Sequence, residues 1–160
     1  MPRGNRIYDH RWVDTNAKSR LTCKDLKRFT KGREDIVVNS PTPSGYANEC
    51  FDFFVADRGW NVIVFDAISA FIHASEKEWD CYMYPPQEWI DKLGDKATNK
   101  VWRLMKSLYG RRTASAQFRE LIEAIFESEP ELELKRGHHE PCAYYSEKTD
   151  MLVVHHVDDG

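Results

Sequence analysis

The sequence has no long apolar run. None of its hydrophobic stretches approaches the roughly 20 residues that span a bilayer, and the opening "MPRGNRIYDH" lacks the apolar core of a signal peptide. An intracellular protein with no membrane partner is the expectation. Cysteine is scarce: four thiols (Cys23, Cys50, Cys81, Cys142) lie far apart with no CxxC pair, so neither a zinc ribbon nor a disulfide framework is legible. Internal repeats and low-complexity tracts are missing too, which excludes solenoids and disordered linkers. What is there suits a globular chain: 160 residues, 41% hydrophobic and 12% aromatic, long enough for one domain with a real core.

Acid is scarce in two basic stretches. Residues 1–33 hold ten lysines and arginines against three acids, a balance of +7 on a chain whose net charge is −3. A second island, "KVWRLMKSLYGRRTASAQFR" at residues 100–119, has six basic residues and no acid. Two basic segments on an otherwise acidic chain point to local contact with a polyanion, although solvated charged faces explain them equally well.

Periodicity and punctuation give a coarse element order. "SRLTC" and "DIVVN" read as short strands and "SPTPSG" as a loop. "SGYANECFDFFVADRG" reads as a helix capped by Ser44 and ended by Gly59, with Ala47, Cys50, Phe51, Phe54 and Val55 on one face. "WNVIVFDA" is a short β-branched run and reads as a buried strand. "YMYPPQEWIDKLGDKATNK" reads as an exposed loop, and "VWRLMKSLYG" as a strand and turn. "SAQFRELIEAIFESEP" carries the clearest helical stripe, Phe118, Leu121, Ile122, Ile125 and Phe126, stopped by Pro130. "CAYYS" and "MLVVHHV" form a hairpin across "EKTD". This order predicts an α/β or α+β sandwich with helices packed on a sheet.

Two places set aspartate at the exit of an apolar strand: Asp66 after "VIVF", and Asp158–Asp159 after "VVHHV". If those strands are neighbours, the acids converge and suit a hard divalent cation such as Mg²⁺. Successive strand residues face opposite ways, so Asp158 and Asp159 share a site only through a tight turn. Adjacent carboxylates repel unless a cation compensates them. On the residues alone, an Asp-Asp-Gly surface turn accounts for the pair as well.

The stretches "FDAISAFIHASEKEWDCYMYPP", "VWRLMKSLYGRRTASAQF" and "PCAYYSEKTDMLVVHHVDD" settle the balance by resemblance. In order and spacing they are similar to the motifs of Ty1/copia-type retrotransposon reverse transcriptases: Asp-x-x-x-Ala-Phe, Tyr-Met-x-x-Pro, Ser-Leu-Tyr-Gly, and Asp-Pro-Cys with a Tyr-Val-Asp-Asp hairpin. "AKSRLTCKDL" resembles the basic strand of that family's fingers, and "SPTPS" its Ala-Pro segment. The resemblance implies an α+β, polymerase fingers/palm-like fold with an antiparallel sheet and packed helices, fingers-like over about 1–58 and palm-like over about 59–160. It implies RNA-directed DNA synthesis from dNTPs on an RNA template and DNA primer, with two Mg²⁺ ions, or Mn²⁺ in their place. Asp66, Asp158 and Asp159 match the catalytic, metal-binding acids. Ala67, Ile68 and Phe71 match the positions against the incoming dNTP, Phe71 being the aromatic that rejects a 2′-hydroxyl; core packing explains Phe71 equally well on bare sequence. Lys18, Arg20 and Lys24 are candidates to hold the triphosphate or template from the fingers. Ser107, Tyr109, Gly110, Arg111, Arg112 and His156 match template- and primer-facing positions.

The chain departs from the pattern in three places. His156 replaces the tyrosine before Val-Asp-Asp, and Arg111-Arg112-Thr113-Ala114-Ser115 replaces Leu-Lys-Gln-Ala-Pro. The sequence also stops at Gly160, where the family continues through a second hairpin strand to a thumb and an RNase H domain. A fold incomplete at the C-terminus is expected, with little or no polymerase activity in the isolated chain. A non-catalytic retroelement remnant or nucleic-acid-binding module is the alternative. As part of a Pol polyprotein the chain would have integrase and RNase H as partners and act in the cytoplasm and nucleus.

Overall fold

The computed structural model describes residues 6–26, 37–77, 81–97 and 99–157. Helix and strand are mixed, as an α+β fold requires. Contacts divide the chain into two compact units, each assembled from two separate stretches: Met1–Val38 with Phe71–Gln117, and Asn39–Ala70 with Phe118–Gly160. No helix among the described residues is long and apolar enough to cross a membrane.

The first unit is built on short strands. β1 (Arg6–Tyr8) is followed by a hairpin of β2 (His10–Asp14) and β3 (Ser19–Cys23), in register from His10 opposite Cys23 to Asp14 opposite Ser19. Thr15 closes the turn, its N–H and hydroxyl both donating to the Lys18 carbonyl at 2.8 and 3.0 Å. β4 (Cys81–Met83) lies between β1, which it meets in parallel, and β5 (Trp102–Arg103), which it meets antiparallel. The sheet is therefore not wholly antiparallel. Tyr8, Cys23, Cys81 and Met83 form its buried core, flanked by Leu21, Trp102, Leu104 and Leu108. Burial pushes the Cys23 thiol up to about 12, so it stays protonated and unreactive.

The expected loop after residue 81 is a finding against the sequence reading. It begins as β4 and continues as α2 (Gln87–Leu93), with Trp89 packed edge-on against Trp102 at 5.4 Å. Pro85 and Pro86 are buried. A proline breaks a helix interior, but just before a first turn its fixed φ is already suitable and its missing N–H costs nothing.

In the second unit, α1 (Gly45–Arg58) has the ends its sequence announces. The Ser44 hydroxyl accepts from the Ala47 N–H at 3.0 Å, and Gly59 takes the left-handed conformation at φ 64°. Ser44 also donates its hydroxyl to Glu140 at 2.6 Å, tying the helix start to the loop before the hairpin. β6 (Lys135–Arg136), β7 (Ala143–Ser146) and β8 (Met151–Val154) form an antiparallel sheet in that order, β7 and β8 joined across the expected four residues. Asp150 in that turn collects three donors: Arg58 Nη1 at 2.5 Å, Trp60 Nε1 at 3.0 Å and the Tyr145 hydroxyl at 3.0 Å. One carboxylate thus fastens the helix end and Trp60 to the hairpin. α3 (Ala114–Ser128) follows the predicted helix and crosses the division, most of its length lying in the second unit.

"WNVIVFDA" differs. Residues 61–65 are extended but unpaired in any ladder, and Ile63 and Val64 are 84% and 82% exposed. A β-branched run states a preference; a strand exists only where a neighbour offers hydrogen bonds and a face to bury against. β8 ends the sheet order and pairs only with β7 among the described strands. Of "DIVVN", Asp35 and Ile36 lie outside the described residues, and Val37–Asn39 join no strand.

Candidate active site

The carboxylates come first, in the second unit. Asp66 is exposed and stands at an isolated bridge position, as does His156. Val62, Ile63 and Val64 line one cavity of about 470 Å³ together with Val154, His155 and His156. Val64 precedes Asp66 by two residues and His156 precedes Asp158 by two, so the stretches that lead to these acids in sequence line the same cavity. Asp158 and Asp159 lie outside the described residues, and among the described ones no group of three or more His, Cys, Asp or Glu is placed to hold a metal. A site shared by Asp66, Asp158 and Asp159 would offer only oxygen, which fits Mg²⁺ rather than a thiophilic ion.

The two histidines differ in fate, as strand alternation requires. His156 is exposed. His155 is 3% exposed, its ring 5.7 Å from Tyr144 and 6.2 Å from Phe126. Burial lowers its pKa below the ordinary value, so the ring is held neutral.

In the first unit, three residues singled out by sequence meet. The Arg20 guanidinium lies 5.1 Å above the Tyr109 ring, and the Phe71 ring is 4.9 Å from Tyr109. Phe71 sits in a 3-10 turn, Ala70–His73. Ile68 is 81% exposed, and the Ala67 carbonyl accepts from the Ala70 N–H at 3.2 Å. Lys18 is exposed, whereas Lys24 pairs with Asp9 at 2.8 Å, a bond that lowers the Asp9 pKa. Backbone fixes the motif itself. The Cys23 N–H donates to the Tyr109 carbonyl at 2.7 Å, and Gly110, at φ 83°, lies so close to β3 that a Cβ there would stand 2.1 Å from the Cys23 carbonyl oxygen.

The model for the family described as "Reverse transcriptase (RNA-dependent DNA polymerase)" matches residues 3–160. The chain belongs to this reverse transcriptase family. No curated protein and no solved structure matches it.

Not every expected contact residue of this reverse transcriptase chain faces outward. Arg111 was expected to meet a nucleic-acid phosphate; instead its side chain is 1% exposed, with Nη1 2.7 Å from Asp25 and Nε 3.0 Å from Glu76. It also stacks over the Tyr8 ring at 4.7 Å. Ser107 is buried as well, its N–H donating to the Ala74 carbonyl at 2.9 Å. Arg112, by contrast, is half-buried, and its backbone N–H donates to Asp25 at 3.1 Å. Gln117 completes the cluster, donating to Glu76 at 2.7 Å. Sequence reasoning missed Asp25, Glu76 and Gln117 because each looks like a surface residue, and nothing in a linear pattern joins positions 25, 76 and 111. The signal is chemical: an arginine that leaves solvent needs acids to pair with.

Proposed function

We propose that this chain is the fingers and part of the palm of an RNA-directed DNA polymerase of a copia-type retrotransposon, adding dNTPs to a primer 3′-end on an RNA template. The observation that supports the reading is the cavity lined by both Val62–Val64 and Val154–His156, the stretches that precede Asp66 and Asp158 in sequence. Asp66, Asp158 and Asp159 would hold two Mg²⁺ ions. When bound, those ions supply charge stabilisation at the transferring phosphate and activate the primer hydroxyl. The chain's own contribution is positional. Asp66 presents an exposed carboxylate; Ala67 and Ile68 lie beside it in sequence, against the triphosphate. Arg20 and Phe71 face the nucleotide, with Lys18 and Lys24 as further cations. Tyr109, Gly110, Arg112 and His156 serve the template–primer. RNA template, DNA primer and the remaining parts of a Pol polyprotein are the partners, in the cytoplasm and nucleus.

Primer extension tests this. The full chain with an RNA template, a DNA primer and dNTPs is expected to give weak, Mg²⁺-dependent incorporation. Asp66→Asn should reduce it by on the order of 10³-fold, the equivalent of several kcal/mol of lost charge stabilisation. Salt-dependent binding of an RNA–DNA duplex without incorporation at any Mg²⁺ concentration would assign the chain to nucleic-acid binding instead.

A further inference from the structure

We propose that Tyr109 is a positioning residue for sugar selection: it fixes the ring of Phe71, and Arg20 fixes Tyr109 in turn. The inference rests on the reading of Phe71 as the residue that meets the nucleotide sugar. Phe71 is half-buried in a single 3-10 turn, flanked by hydrogen bonds from the Ala70 N–H to the Ala67 carbonyl at 3.2 Å and from the Ala74 N–H to the Phe71 carbonyl at 3.1 Å. Such a turn is short and its bonding geometry poor, so it does little to hold a ring that must sit accurately. Tyr109, 4.9 Å away and inclined at 59°, supplies an aromatic wall.

That wall is itself anchored twice to one strand. Its carbonyl accepts from the Cys23 N–H at 2.7 Å, and the next residue, Gly110, is pressed onto the Cys23 carbonyl. Three residues earlier on β3, Arg20 places its guanidinium 5.1 Å from the tyrosine ring centre. Strand β3 therefore sets Tyr109, and Tyr109 sets Phe71. The contact uses the ring face, not the hydroxyl, so phenylalanine at 109 preserves it and an aliphatic side chain does not. Arg20 acquires a second role beside any phosphate contact.

The experiment is calorimetric binding of dATP and of ATP to the full chain in Mg²⁺, with circular dichroism to confirm folding. The wild-type chain should prefer dATP. Tyr109→Leu should shrink the preference about fivefold, the scale of one aromatic pair, mainly by admitting ATP. Tyr109→Phe should keep the wild-type ratio. Tyr109→Met, which retains bulk without a ring, takes the place of Tyr109→Leu should that variant not fold. A ratio unchanged in folded Tyr109→Leu or Tyr109→Met, or lost in Tyr109→Phe, overturns the inference while leaving nucleotide binding intact. A wild-type chain that binds neither nucleotide overturns the proposed function and this inference with it.

Discussion

At Gly110 the backbone adopts φ 83° with the Cys23 carbonyl where a Cβ would be. Gly110→Ala should therefore cost at least about 3 kcal/mol, combining left-handed strain with a backbone clash no rotamer relieves; urea denaturation measures it. Arg111 carries a comparable penalty for a different reason. Its two acids are as buried as it is, so Arg111→Ala removes the guanidinium that bridges Asp25 and Glu76 and should destabilise by roughly 3–5 kcal/mol. His155 adds a pH dependence. Its folded pKa lies below the ordinary 6.5, so the folded state binds fewer protons than the unfolded one between those two values. Stability is complete above about 6.5 and falls as the pH drops through that window, by up to about 1.4 kcal/mol per pH unit. Comparing denaturation midpoints at pH 7.5 and 5.5, His155→Phe should show a smaller loss than the parent chain.

At the scale of elements, what the sequence discloses depends on whether the instruction is local. α1 was legible to its ends because Ser44 and Gly59 act on residues within one turn of themselves. The β7–β8 hairpin was legible because its four-residue turn lies between two patterned runs. The stretch 61–65 was not, since its β-branched residues announce a strand while pairing is decided by a distant neighbour. A direct consequence follows: Ile63→Glu should change stability by no more than about 0.5 kcal/mol, as at an exposed site. A loss of several kcal/mol in thermal or urea unfolding would mean that the segment is a buried strand after all. The same distinction governs the site. The proposed acids at 66, 158 and 159 and the proposed ring at 71 come from local motifs, whereas the Asp25–Arg111–Glu76 network is assembled from three separate stretches and is legible in none of them.

For the whole molecule, family membership and the α+β fold rest on nearly the full length of the chain, while the proposed chemistry rests on a few carboxylates. Asp66 is exposed, so its replacement by asparagine should leave the fold intact and remove only what the carboxylate does. That separation makes one measurement the most direct test of the central claim, that Asp66 belongs to a divalent-cation site. Mn²⁺, standing in for Mg²⁺, is titrated into the full chain and into Asp66→Asn, and free ion is followed by electron paramagnetic resonance. The account predicts saturable binding to the parent chain, weakened at least about tenfold in the variant, or about 1.4 kcal/mol. Identical binding by the two chains, or none by either, would contradict it.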